Sequence, residues 1–307
     1  MRVVVTGATG VLGRALVDAL LARGDEVVAL SRDADRARQA SGNRVEAHAW
    51  LRPADEPPPE AALAGADAVV NLLGEPVAQR WSSEAKERIR ASRVAGTRSL
   101  VRGLLALAPE RRPGTLISQS ATGYYGPRGD EQLAEDAPAG HDFLAGVVVA
   151  WEREALVAAS DVRVVLTRTG VVLSQDGGAL AKMLPFFRLG IGGPVAGGRQ
   201  YVPWVHLDDV VGVLLFCLDK PTAAGPVNLT APDPVTNAEL SRMLGRVLGR
   251  PAVLPVPAMA LKLLYGDMAE IVTTGQRVVP ARLGQLGYQF RHPELEPALR
   301  DVLRRPS

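Results

Sequence analysis

The chain has 307 residues, 47% of them hydrophobic, with 35 basic and 33 acidic side chains and a net charge of +2. A mean hydropathy of +0.07 goes with a globular protein that buries a real core, and the length allows one large α/β domain with an appended lobe. Near-balanced charge removes the pI of 8.8 as an argument for a nucleic-acid partner.

Arg2 to Thr6 is apolar at Val3-Val4-Val5, as a buried parallel strand is. Gly7, Gly10 and Gly13 follow at Gly-x-x-Gly-x-x-Gly spacing. The first glycine allows a tight turn, the second lets backbone approach a pyrophosphate, and the third lets the next helix pack close. That helix reads from about Val11 to Arg23, with its free N–H groups and positive dipole end toward the phosphates. The loop from Gly7 through Thr9, Gly10, Val11 and Leu12 to Gly13 is therefore assigned to a dinucleotide. Glu26 to Leu30 closes a βαβ unit, which raises the glycine pattern above a bare turn.

An acidic residue at the end of this second strand would bond a ribose 2′-hydroxyl and repel a 2′-phosphate. Ser31-Arg32 stands there instead, a hydroxyl and a forked guanidinium that suit a phosphate and point to NADP(H), although Asp33 follows at once.

Further along, strands are expected over Arg44 to Trp50, Asp67 to Gly74, Gly114 to Gln119 and Val162 to Leu166. Helices are expected over Ser83 to Leu107 and Phe143 to Ala159. Pro53 to Glu60, with three consecutive prolines, is an extended loop within the domain. This alternation predicts an α/β, Rossmann-like, doubly wound parallel sheet, whose ligands sit beyond the strands' C-terminal ends. Gly7, Ser31, Leu72-Leu73-Gly74 and Ser118 to Ser120 all fall at such ends, so one cleft collects them. In the second half Gly177-Gly178 opens a short helix through Phe187, and Asp208-Asp209 begins another. Thr236 and Glu239 form a capping box for Asn237 to Gly249. Pro251 to Pro257 reads as a linker to short helices around Ala260 to Tyr265 and Leu295 to Leu303.

The apolar run Val210 to Leu218 is too short for a bilayer and holds the single cysteine, Cys217, read as a core residue. One cysteine forbids an internal disulfide, which suits a reducing cytoplasm, and the glycine loop starts too early to leave room for a signal peptide. Neither a membrane nor a nucleic acid is expected as a partner.

Taken together, these segments resemble the extended short-chain dehydrogenase/reductases, the class of nucleotide-sugar epimerases and dehydratases. Ser118-Gln119-Ser120-Ala121-Thr122-Gly123-Tyr124-Tyr125-Gly126 resembles the serine motif of that class, with one extra residue before Tyr-Gly. Val205-His206-Leu207-Asp208-Asp209-Val210 and Gly225-Pro226-Val227-Asn228 resemble its second-half signatures. Asn71 to Pro76, Arg80-Trp81, Ser92-Arg93, Gly123 to Gly126, Gly177 to Leu180 and Pro203 to His206 are similar to an atypical subfamily. Its members carry epimerase-family or NADP-binding oxidoreductase-like labels, some of them an old cell-division-inhibitor label. Gln276 to Pro280, Gly287-Tyr288 and Phe290-Arg291 resemble that subfamily's small C-terminal domain. The resemblance implies an NADP-binding domain over 1–249, with smaller substrate-lobe elements from about 171, and a helical C-terminal domain over 250–307. It matches Ser31-Arg32, Leu72-Leu73 and Arg93 to NADP-associated positions, whereas by place in the sequence alone Arg93 reads as a solvated helix arginine. A homodimer through sheet-flanking helices is common in the class.

The usual chemistry of that class is missing. A tyrosine phenol, with a pKa near 10, serves as general acid/base only when a lysine one helical turn on lowers it. The four lysines are Lys86, Lys182, Lys220 and Lys262, and the residues four before them are Ser82, Gly178, Phe216 and Ala258. Aligning Glu152 with the acidic residue of the class puts Leu144 and Val148 where the pair belongs.

Ser120 and Tyr124 remain as catalytic candidates, Ser120 able to orient a carbonyl but not to act as base, Tyr124 as a substitute acid or a loop tyrosine. Glu75, Arg80 and Trp81 are substrate candidates or surface-loop residues. His206 is a base or an anchor of its strand-to-helix turn. His48, His141 and His292 show no ligand spacing, so no metal is expected. The expectation is an NADP-dependent, epimerase-like oxidoreductase for a small carbonyl or hydroxyl substrate, with a silent NADP(H)-binding sensor as the alternative.

Overall fold

A computed structural model describes residues 1–305. Seven parallel strands form the central sheet: β1 (Arg2–Thr6), β2 (Glu26–Ser31), β3 (Glu46–Ala49), β4 (Ala68–Asn71), β5 (Thr115–Ala121), β6 (Arg163–Thr169) and β7 (Gly225–Leu229). Their order is β7-β6-β5-β4-β1-β2-β3. The direction of winding reverses between β1 and β4, and a ligand crevice opens at such a switch point.

Successive side chains on a strand point to opposite faces, so a run of valines can feed two cores at once. Val3 and Val5 join Leu16, Leu20, Val213 and Leu214 on one face. Val4 joins Val28, Leu30, Val69, Leu100 and Leu104 on the other. The long helices Ser83–Leu105 and Phe143–Leu156 cover this second face, while Val11–Ala22 and Leu207–Asp219 cover the first.

The second half builds a smaller lobe from short pairings. Val171–Leu173 runs parallel to Trp204–His206, and Tyr201–Val202 runs antiparallel to Val235–Thr236. The predicted capping box closes the N-terminus of the Asn237–Leu248 helix, and Gly249 ends it in the left-handed region at φ +64°.

The chain after residue 250 contributes buried side chains to three different clusters. Leu283 joins the first sheet face, Leu295, Leu299 and Val302 join Leu240 and Leu244 of the lobe, and Val278 packs with Tyr125 and Leu133. Among the described residues no helix is long and apolar enough to cross a membrane.

Candidate functional site

The glycine loop has the geometry its spacing predicts. Gly7 sits at φ +65°, and a Cβ there would lie 2.7 Å from the Leu72 carbonyl oxygen. A Cβ on Gly13 would lie 2.1 Å from the Gly7 oxygen, so the helix starts against the loop only because that position is glycine. No side chain caps this helix, whose Ncap is Gly10, and its first-turn N–H groups remain available to an anion. Thr9, Val11 and Leu12 are half-buried around this turn.

At the end of β2, Asp33 is committed to its own helix, its carboxylate accepting from the Arg36 N–H at 2.9 Å. The Ser31 hydroxyl accepts from the Asp33 N–H at 3.2 Å. Arg32 is exposed and makes no side-chain hydrogen bond or ion pair among the described residues. The acidic neighbour is thus occupied while the guanidinium is free.

A buried polar chain fixes the neighbouring crossover. Thr6 Oγ1 donates to Asn71 Oδ1 at 2.8 Å and accepts from the Leu72 N–H at 3.0 Å. The Asn71 amide donates to Thr97 Oγ1 at 3.0 Å, and the Trp151 indole donates to the same oxygen at 2.9 Å. Leu72 is held by this network beside the glycine loop, and the Leu73 N–H donates to Asn71 Oδ1 at 3.4 Å.

Arg93 is not a solvated helix residue. Its guanidinium lies over the Trp151 ring at 5.3 Å and donates to the Glu75 carbonyl at 2.9 Å. It also closes on Gly74, where a Cβ would come within 3.1 Å of Nη2. Burial pushes the guanidinium down to about 10, partly opposed by Glu75.

Next to Arg93 a cavity of about 300 Å³ opens beyond the C-terminal ends of β5 and β6. Its apolar wall includes Val77, Trp81, Phe143, Leu144, Val147, Val148 and Ile271, with Trp81 edge-on to Phe143 at 5.2 Å. Its polar wall includes Arg93, Thr122, Asp142, Thr169, Tyr201, Glu270 and Gln276. Leu144 and Val148, at the places of the missing pair, both face this space. The absent tyrosine and lysine are therefore replaced by aliphatic wall.

Neither catalytic candidate lines the cavity. Ser120 is 1% exposed, and its hydroxyl donates to Glu152 Oε1 at 2.5 Å. Ser120 is the register partner of Arg168, and both face the helix that carries Glu152. Arg168 grips that carboxylate with Nε at 2.8 Å and Nη2 at 2.9 Å. Burial lowers the Arg168 pKa, but the hydrogen bonds and charge of Glu152 outweigh it, so the net shift is upward. Tyr124 lies face-on to the same guanidinium, 3.5 Å from its Cζ. The Tyr125 phenol donates to Asn228 Oδ1 at 2.6 Å, and burial pushes it up to about 12. This constellation is a buried support for the β5 loop, and it differs from the expectation that Ser120 and Tyr124 face a substrate.

Of the three residues after β4, only Trp81 reaches the cavity. Arg80 ties its loop to the C-terminal segment by donating to the Leu263 carbonyl at 2.8 Å, and Glu75 accepts from Gln79 at 3.2 Å.

His206 anchors its turn, with Nδ1 accepting from the Asp208 N–H at 3.0 Å. Its Nε2 lies 3.1 Å from Asp301 Oδ2, and its ring stacks on His292 at 3.8 Å. Ligating atoms of His206, Asp208, His292 and Asp301 fall within 4.8 Å of one another, a grouping that sequence spacing does not reveal. The Arg305 guanidinium donates to Asp208 Oδ2 from Nη2 at 2.6 Å and forms an ion pair with Asp301, Nη2 lying 2.6 Å from its Oδ2. Because Nδ1 already accepts an N–H, a neutral His206 carries its proton on Nε2, facing Asp301. The cluster is an ionic clasp between the lobe and the C-terminal helix. Burial, then the neighbouring His292, push His206 down to about 4, and the Arg305 hydrogen bonds hold Asp208 at about 2.

Comparison with known proteins adds a family to this geometry. Residues 3–229 match the NAD dependent epimerase/dehydratase family, and residues 256–302 match a domain of unknown function, DUF1731. The chain is 42% identical over 303 residues to the chloroplastic epimerase family protein SDR39U1 homolog of Arabidopsis thaliana, covering 99% of this chain and 87% of that one. It is 41% identical to the epimerase family protein Mb2239 of Mycobacterium bovis, covering 99% and 98%. The crystal structure of human epimerase family protein SDR39U1 (isoform 2) with NADPH superposes with a TM-score of 0.88 at 34% identity, covering 98% of this chain and 99% of that one.

Proposed function

Since the chain belongs to the NAD dependent epimerase/dehydratase family, we propose that it is an NADP(H)-dependent oxidoreductase acting on a small carbonyl or hydroxyl substrate. The observation that carries the reading is the cavity of about 300 Å³ that opens beside Arg93, at the C-terminal strand ends where the glycine loop and Leu72-Leu73-Gly74 also lie.

The residues present fit the cofactor. A Cβ would fill the cradle at Gly7 and at Gly13, and the helix behind them has an uncapped N-terminus. Gly7, Thr9, Gly10, Val11, Leu12 and Gly13 would hold the pyrophosphate. Ser31 and the free Arg32 would hold the 2′-phosphate, and Leu72, Leu73, Gly74 and Arg93 would flank the crossover. That NADPH occupies the human relative supports NADP(H) here. When bound, the cofactor supplies hydride transfer. The chain supplies position and exclusion of water through Trp81, Phe143, Leu144 and Val148. Thr122 is the hydroxyl of the β5 loop that lines the cavity, a place Ser120 does not take.

The aliphatic pair and the inward-turned Ser120 also favour a second reading, in which the chain holds NADPH as a sensor without turnover. NADPH oxidation followed at 340 nm with a panel of small carbonyls separates the two. Turnover that stops when Ile271→Trp fills the cavity supports the enzyme. Tight NADPH binding with no substrate consumed supports the sensor.

A further inference from the structure

We infer that the substrate is an uncharged, planar conjugated diketone of the quinone class, an inference that rests on the oxidoreductase reading above.

Three features of the cavity carry it. The first is charge. Among the described lining residues Arg93 is the one cation, against two carboxylates, Asp142 and Glu270, and Lys86, whose Nζ lies 5.3 Å from the Phe143 ring, is paired with Asp267 at 2.6 Å. A nucleoside diphosphate brings at least two negative charges and is recognised through several cations or clustered N–H groups, so this wall opposes one. The second is polarity. Trp81, Phe143, Leu144, Val148 and Ile271 all line the cavity and give it apolar wall suited to a flat ring, with Trp81 and Phe143 in edge-to-face contact. A hydroxyl-rich sugar would leave many of its polar groups unpaired there.

The third is proton supply. Reduction of an isolated ketone places charge on one alkoxide oxygen, which needs an acid within reach at that moment. At the positions that supply this acid in the class stand Leu144 and Val148, and the Ser120 hydroxyl is spent on Glu152. A quinone has no such requirement. Hydride addition delivers two electrons and one proton, the charge spreads over the conjugated ring to the second oxygen, and water provides the other proton. NADPH, the quinone and one proton become NADP⁺ and the hydroquinone.

The test has a binding arm and a turnover arm on the full chain. 2-Methyl-1,4-naphthoquinone should quench tryptophan fluorescence saturably without cofactor, and Trp81→Phe should remove most of that quenching. Ile271→Trp should weaken quinone binding at least tenfold. With NADPH, kcat/KM for the quinone should exceed that for cyclohexanone and for UDP-4-keto-6-deoxyglucose, a nucleotide sugar with a reducible carbonyl, by at least 100-fold and stay flat between pH 6 and 8. If cyclohexanone or UDP-4-keto-6-deoxyglucose is turned over faster than the quinone, the quinone assignment is wrong and the oxidoreductase reading stands. If NADPH binds and none of the three is reduced, both fall. If the quinone neither quenches nor turns over while another of the three is reduced, the assignment falls by itself.

Discussion

The Ser120 hydroxyl donates to Glu152 at 2.5 Å, and through that contact the serine is a structural residue. Glu152 is 6% exposed and is also held by Arg168. Ser120→Ala should therefore cost about 1–3 kcal/mol of stability, the range for a hydrogen bond to a charged group. NADPH affinity should stay within about twofold, since the hydroxyl is outside the cavity wall. Chemical unfolding and a cofactor titration on the same variant check both halves.

Removing the other partner should be far more damaging. Arg168→Met leaves the Glu152 carboxylate buried without its guanidinium, and breaking such a pair costs about 3–5 kcal/mol. It also removes the cation beneath the Tyr124 ring. The midpoint of urea unfolding should fall accordingly, or soluble yield should collapse. A shift of less than about 1 kcal/mol would contradict the description of this network.

Gly13→Ala tests the loop. Its Cβ would meet the Gly7 oxygen at 2.1 Å, so either the helix or the loop must move. NADPH binding should weaken more than tenfold, while Gly24→Ala, at φ +83° but with open space around it, should change cofactor affinity little.

The clasp at His206 makes stability depend on pH. Its folded pKa is about 4, below the ordinary 6.5, so the unfolded chain takes up the proton first. Stability from this group is complete above about pH 6.5 and declines as pH falls toward 4, by at most about 1.4 kcal/mol per pH unit. Asp208 acts in the same direction at lower pH: its folded pKa is also depressed, so its stabilisation is present above the ordinary carboxylate range and is lost as pH falls toward about 2. Between about 4.5, the ordinary value of the lowered glutamates such as Glu46 and Glu239, and 6.5 the histidine is therefore separated from the carboxylates. His206→Asn keeps an Ncap side chain and should flatten the profile there in thermal melts.

What sequence showed and what it hid divide along physical lines. The glycine cradle, the capping box at Thr236 and the two aliphatic positions on the Phe143–Leu156 helix were legible because each depends on spacing within one element. The inward turn of Ser120 depends on strand parity against a helix 32 residues away. The burial of Arg93 depends on Trp151, and the clasp brings His206 within 3.1 Å of Asp301, so neither leaves a local signal. Ile271 and Gln276 entered the cavity from a tail whose short helices and two-residue pairing with Gln132–Leu133 have too little periodicity to read.

The central claim is that this cleft takes NADP(H) through Arg32. Titrating NADPH and NADH into the wild-type chain and into Arg32→Ala, with nicotinamide fluorescence as the signal, tests it most directly. A charge-assisted hydrogen bond of about 1.5–3 kcal/mol corresponds to roughly 10–100-fold in affinity. Wild type should bind NADPH at least tenfold more tightly than NADH, and Arg32→Ala should erase most of that preference while leaving NADH binding nearly unchanged. Tighter binding of NADH by the wild-type chain, or a preference for NADPH that survives in Arg32→Ala, would contradict the account.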